Sequence, residues 1–171
     1  MNGKAGGLVI LCLSLGLGPS GAAPAPDTAN TVQKGAAMTR HASGIFEVKV
    51  TPLAVDEKVA GLTVGRLGLD KRFTGDLDAT SKGEMMTAET SVEGSGGYVA
   101  IERVDGSLAG RKGTFMLLHQ GTMKGGDFKL TIVVAPDSGT GQLAGLAGTM
   151  GIVIAEGKHS YAFDYTLPEA P

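Results

Sequence analysis

Past Gly35, hydrophobic and polar residues alternate with a period of two, the pattern of a strand that buries one face. Phe46, Val48 and Val50 share one parity, while Glu47 and Lys49 take the other. Leu67, Leu69 and Phe73 repeat this against Arg66, Asp70 and Arg72. In the final stretch His159, Tyr161, Phe163, Tyr165 and Leu167 lie on one face and Ser160, Ala162, Asp164 and Thr166 on the other. The odd positions there are expected to face the interior. Further strands are predicted over Ser81–Thr90, Tyr98–Leu108, Thr114–Met123, Phe128–Ala135 and Thr149–Ala155, separated by Gly, Asp, Ser and Pro clusters. No segment carries a helical period.

About eight strands with one apolar face close most economically into a small antiparallel barrel, which also removes exposed sheet edges. A two-sheet sandwich is the competing arrangement. The stretch from Gly106 to Phe115 echoes that from Gly141 to Met150, since both read G-x-L-A-G-x-x-G-T followed by an apolar residue. Solenoids and propellers repeat more often and at a fixed period, so two copies point to a repeated barrel corner. The 28 glycines fit the bends and tight turns of a small closed sheet.

The first residues differ in kind from the rest. Lys4, the apolar run Leu8–Leu17 and the small residues Ser20-Gly21-Ala22 read as a secretory signal over residues 1–22. The run is too short to span a bilayer. Residues 23–37 hold Ala, Pro, Thr, Asn and Gln with no apolar period and read as a flexible leader, which puts the barrel domain at 38–168. Cys12, the one cysteine, falls inside the signal, so the exported domain has no thiol chemistry and no disulfide. It is expected in the periplasm or outside the cell, without stable membrane insertion once the signal is removed. The chain carries a net charge of −2, and losing Lys4 makes it one unit more negative. No positive footprint for nucleic acid follows from that balance.

Motifs exclude more chemistry than they suggest. No H-E-x-x-H, paired C-x-x-C, EF-hand loop or G-x-S-x-G is present in the domain, and nothing calls for a metal or another cofactor. The informative residues are polar ones set in apolar strands. Lys71 shares the parity of Leu67, Leu69 and Phe73; a buried ammonium needs a carboxylate or a route to water, and a lysine at the barrel mouth with its head in solvent is the plain alternative. Glu102 shares the parity of Tyr98 and Ala100, opposite Arg103. Glu84 alternates with Lys82 in a strand too polar to reveal its inner side, so an exposed Lys82/Glu84 face competes with a catalytic role. His119 follows Phe115 and Leu117 on one of two equally apolar faces, as a core or a functional histidine. His159 starts the aromatic ladder and belongs at the rim.

Several stretches carry a family resemblance: Thr80-Ser-Lys-Gly-Glu-Met85, Gly97-Tyr-Val-Ala-Ile-Glu102, His119-Gln-Gly-Thr-Met123, Ala135-Pro-Asp-Ser-Gly-Thr-Gly-Gln-Leu143 and His159-Ser-Tyr-Ala-Phe-Asp-Tyr165. From Ala42 to Leu167 the chain resembles the bacterial domain-of-unknown-function 3224 family. The resemblance implies a fold like that of allene oxide cyclase, an eight-stranded barrel with an internal cavity. It implies no reaction. It also implies mostly cytosolic relatives, from which the export signal departs.

Three functions are compatible with these residues. In the first, the exported barrel binds a small, largely apolar molecule through Tyr98, His159, Tyr161, Phe163 and Tyr165, with Glu102, Lys71 and His119 as polar anchors. The second is a cofactor-independent isomerase or cyclase, with Glu102 or Glu84 as general base and His119 or Lys71 stabilising negative charge. In the third, a filled barrel serves as a structural module.

Overall fold

The structure, a computed structural model, describes residues 38–53, 58–59 and 61–169. The expected signal and leader segments, 1–22 and 23–37, lie outside the described residues. Among the described residues nine strands follow one another: β1 (Arg40–Pro52), β2 (Lys58–Val59), β3 (Leu62–Gly75), β4 (Leu77–Thr90), β5 (Gly96–Leu108), β6 (Arg111–Lys124), β7 (Asp127–Val134), β8 (Ala147–Ala155) and β9 (Lys158–Thr166). The described helical structure is one 3-10 turn, Gly141–Leu143.

Every neighbouring pair is antiparallel, in the order β1-β9-β8-β7-β6-β5-β4-β3. β1 closes the ring: it pairs with β9 from Arg40 to Phe46 and with β3 from Gly44 to Pro52. The competition between barrel and sandwich is thereby decided for the barrel. β2 pairs with the start of β3, Lys58 opposite Thr63 and Val59 opposite Leu62. The period of two read from the sequence is the inner row of this barrel, and the registers place Phe46 opposite Phe73, Val104 opposite Phe115, and Met150 opposite Phe163.

The two ends of the barrel are finished differently. At one end Phe73, Leu77, Val104, Leu108, Phe115, Leu117 and Phe163 are buried, and Leu143 and Leu146 plug the opening from a loop. That loop takes over where β7 stops. Backbone groups of β6 that have lost their strand partner are paired by its side chains: Met116 N–H donates to Ser138 Oγ (3.1 Å), Thr114 N–H to Thr140 Oγ1 (3.0 Å) and Lys112 N–H to Gln142 Oε1 (2.9 Å). Three polar side chains in alternation thus take the place of a strand partner for these donors.

The sequence echo maps to this closed end. Its first copy is the β5–β6 hairpin and its second is the plug, so only one of the two is a corner between paired strands. What the copies share is a leucine driven into the core, Leu108 or Leu143, followed two residues later by Gly110 or Gly145 at φ of 80° and 78°. Only glycine adopts that left-handed backbone without strain.

At the opposite end, the mouth, the inner row is only partly covered. Val48, Leu67, Met85, Thr87, Tyr98, Leu130 and Ile152 are all half-buried.

Candidate functional site

Between the packed end and the mouth, the inner row turns polar. Lys71 stands between Leu69 and Phe73 on β3, Ser81 follows Ala79 on β4, Glu102 lies between Ala100 and Val104 on β5, and His119 follows Leu117 on β6. Register brings them to neighbouring levels, with Lys71 opposite Ser81, Glu102 opposite Gly83 and His119 opposite Ala100. All four are buried, and Glu102 has no exposed surface.

Glu102 is the centre of the group. Lys71 Nζ donates to Oε2 at 2.6 Å and Ser81 Oγ donates to Oε1 at 2.5 Å. Lys71 Nζ also lies 5.2 Å from the Phe46 ring centroid and 5.8 Å from that of Phe73, close enough for both rings to attract the ammonium. Burial alone would push the Glu102 carboxyl up. The His119 ring, the Lys71 ammonium and the Ser81 hydroxyl outweigh it and hold the group down at about 2. Glu102 is therefore a carboxylate at neutral pH, and a weak base.

His119 is placed less tightly. Its Nε2 lies 3.4 Å from Glu102 Oε2, at the outer limit of a hydrogen bond, and this contact is the largest of those that hold the carboxyl down. Nε2 is buried and, among the described residues, makes no hydrogen bond of good geometry. Buried polar atoms are almost always paired, so this nitrogen retains an unused bonding capacity.

Tyr98 separates the polar group from the mouth. It sits on the inner row of β5 above Ala100 and Glu102, and its ring lies flat on Gly121, where an added Cβ would fall 2.2 Å from Tyr98 Cε1. Phe128 stacks on it with centroids 6.4 Å apart. Burial, and then the negative charge of Glu102, push the Tyr98 hydroxyl up, so it stays protonated and can donate. Outside Tyr98, a cleft of about 340 Å³ opens among Thr87, Gly97, Met123, Phe128 and the turn between β4 and β5. None of the four described clefts is lined by Lys71, Ser81, Glu102 or His119, so the expected internal cavity bounded by these groups is not among them.

The structure brings together Lys71 and Glu102, whose parities point inward, with His119, whose strand is apolar on both faces, and adds Ser81. It sends Glu84 elsewhere. Glu84 is on the outer face of the barrel, bonded to Arg66 at 2.7 Å, because Leu77, Ala79 and Ser81 occupy the inner parity of β4. The aromatic ladder also lies apart from the mouth. Tyr161 Oη accepts the Leu77 N–H at 2.8 Å, Phe163 stacks on Phe115 at 6.0 Å, and Tyr165 packs 5.3 Å from Phe163. These three side chains are core of the closed half. His159 alone of the ladder is on the mouth side, its ring 5.0 Å from Phe46. Among the described residues no three His, Asp or Glu side chains gather closely enough to hold a metal ion.

The inner polar group and its barrel can be set beside known proteins. The sequence profile described as "Protein of unknown function (DUF3224)" matches residues 42–165, most of the chain and nearly all of the barrel. The chain belongs to the DUF3224 family. A solved DUF3224 structure, a protein of unknown function from Shewanella oneidensis MR-1, is 47% identical and superposes with a TM-score of 0.73. The alignment covers 77% of this chain and all of that one. No curated protein matches the chain. DUF3224 membership thus agrees with the barrel and carries no reaction with it.

Proposed function

We propose that this DUF3224 barrel is an exported protein that binds a small, largely apolar molecule at its mouth, against Tyr98, Met123 and Phe128. The supporting observation is the juxtaposition at one end of the barrel of a cleft walled by these side chains and a buried polar group with spare bonding capacity. An apolar wall with few convergent polar groups is the usual make-up of a small-molecule site. The closed half contributes the rigid support. Export rests on the signal read at 1–22.

Nile red, an uncharged apolar dye, tests the binding. Its fluorescence is expected to rise with saturable binding, and Tyr98→Ser or Phe128→Ser to weaken binding about tenfold, the loss of one buried ring contact. No saturable signal, or equal affinity in the variants, rejects the mouth as the site. Fractionation of cells expressing the full chain tests export: a shortened form in the periplasm or medium supports it, and a full-length cytosolic product rejects it.

A second reading is a cofactor-independent isomerase on the same residues, favoured by the histidine–carboxylate pair of His119 and Glu102. Glu102 is too weak a base to lead, so proton transfer falls to His119.

A further inference from the structure

The joins between neighbouring strands of the ring differ in length. β6 pairs with β7 over Leu117–Lys124 and Asp127–Val134, and β8 with β9 over Ala147–Ala155 and Lys158–Thr166. Between β7 and β8 there is one register pair among the described residues, Val133 opposite Thr149, close to the plug loop. If that register ran on toward the mouth, Thr131 would face Gly151, Lys129 would face Val153 and Asp127 would face Ala155. Among the described residues these pairs are not made. Residues 127–131 and 151–155 are thus held on one side only, by β6 and by β9. Their other sides are two strand edges that face each other across a seam.

Burial follows the seam. On β7 Ile132 is buried and Leu130 half-buried, and on β8 Met150 is buried, Ile152 half-buried and Ile154 66% exposed. These inner-row side chains lose cover step by step toward the mouth. The β8 edge also carries no deterrent to pairing. Natural edges are blunted by charge or proline, among other devices, whereas Gly151-Ile-Val-Ile-Ala155 has neither, and Val153 is 62% exposed. Its β-branched residues favour the extended backbone that pairing needs.

What such an edge bonds is set by its spacing. Backbone donors and acceptors repeat along a strand, and the array that matches them is another extended backbone, which is how peptides add a strand to a sheet. A peptide between β7 and β8 would turn alternate side chains inward, beside Leu130, Ile132, Ile152 and Ile154, and the others outward, beside Lys129, Thr131 and Val153. Its inward positions must therefore be apolar. A second copy of this chain also offers a β8 edge, but the free stretch 151–155 spans only about 17 Å. Two barrels joined there alone would bury far less than the roughly 800 Å² per partner of a stable interface. A peptide is gripped from both edges and has no barrel of its own to clear.

We infer that the seam between β7 and β8 is a strand-addition site for an extended peptide with apolar residues at every second position. It is distinct from the mouth cleft, whose lining includes no residue of β8, and stands whether or not the mouth binds a small molecule.

A fluorescein-labelled hexapeptide of alternating threonine and valine, with uncharged ends, tests this on the full chain. Its anisotropy is expected to rise with saturable binding. Methylating the peptide nitrogens of the valines, or those of the threonines, keeps the side chains and removes alternate donors. At least one of these two forms is expected to bind tenfold or more weakly, the loss of two or more backbone hydrogen bonds. Ile154→Lys puts a charge on the edge at an exposed position that folding tolerates, and is expected to weaken binding about tenfold. Amide NMR shifts caused by the unmodified peptide should centre on residues 129–131 and 151–155. No saturable binding, equal affinity for both methylated peptides, or equal affinity in Ile154→Lys overturns the inference. Shifts centred on Tyr98 and Met123 overturn it and assign the peptide to the mouth. A concentration-dependent dimer that Ile154→Lys dissolves, with no peptide bound, overturns it in favour of a second copy on the same edge.

Discussion

The two halves of this barrel are built from the same strands, yet one is finished and the other is not. In the closed half Phe73, Phe115, Leu117 and Phe163 interlock, Leu143 and Leu146 plug the end, and side chains of the plug satisfy the free N–H groups of β6. In the mouth half the inner row is half-covered, Phe128 is 55% exposed, and the buried interior holds an ion pair and an orphaned imidazole nitrogen. Stability is concentrated at one end and chemical capacity at the other. A strand that runs through both can hold a binding group rigidly without that group having to contribute to the core.

The largest test of this contrast is a pair of truncations. Phe163→Ala in the closed half is expected to cost about 3–5 kcal/mol in urea denaturation. Phe128→Ala at the mouth should cost less than about 1 kcal/mol, because the ring is already in contact with water. Equal losses would break the comparison.

The polar group lies between the halves and should behave as a unit. Lys71→Met leaves an unpaired carboxylate in the barrel and is expected to cost about 3 kcal/mol or more, whereas Lys71→Met with Glu102→Gln should recover most of it. Additive losses would show that the pair is not coupled.

Acid probes the same coupling. Glu102 titrates at about 2 in the folded protein against an ordinary value of 4.5. The folded state therefore binds this proton less readily than the unfolded chain. The contribution is fully present above pH 4.5 and is lost as pH falls toward 2, on the order of 3 kcal/mol over that window. Glu102→Gln should flatten that part of the pH dependence, and an unchanged slope would point to other carboxylates. The smallest effect is expected outside the barrel, where Glu84→Ala breaks an exposed pair with Arg66 and should change stability by less than about 1 kcal/mol.

Much of this was legible from alternation. Lys71 among Leu67, Leu69 and Phe73, and Glu102 after Tyr98 and Ala100, announced their inward direction, and with His119 they meet. Ser81 is not legible in this way, because the strand predicted from Ser81 opens in a run of Thr, Ser, Lys, Gly and Glu with no apolar reference. Starting at Leu77 would have supplied one: Leu77, Ala79 and Ser81 share a parity, which places Ser81 inside and Glu84 outside. The ladder of Tyr161, Phe163 and Tyr165 faces inward as its period predicts, but it packs in the core of the closed half and not at the expected ligand site. Periodicity along a strand tells in from out, not one end of a barrel from the other. The end was settled by Leu143 and Leu146, which lie in a loop where no period operates. The orphaned His119 Nε2 depends on atomic positions that no pattern of residues encodes.

The central claim is that ligand capacity belongs to the mouth. Titration of the isotopically labelled protein with decanol, followed by NMR, tests it most directly. The account predicts saturable shifts at Tyr98, Met123, Phe128 and His119, with Phe115, Leu143 and Phe163 unmoved. Shifts centred on the closed half, or none at saturating decanol, would contradict it.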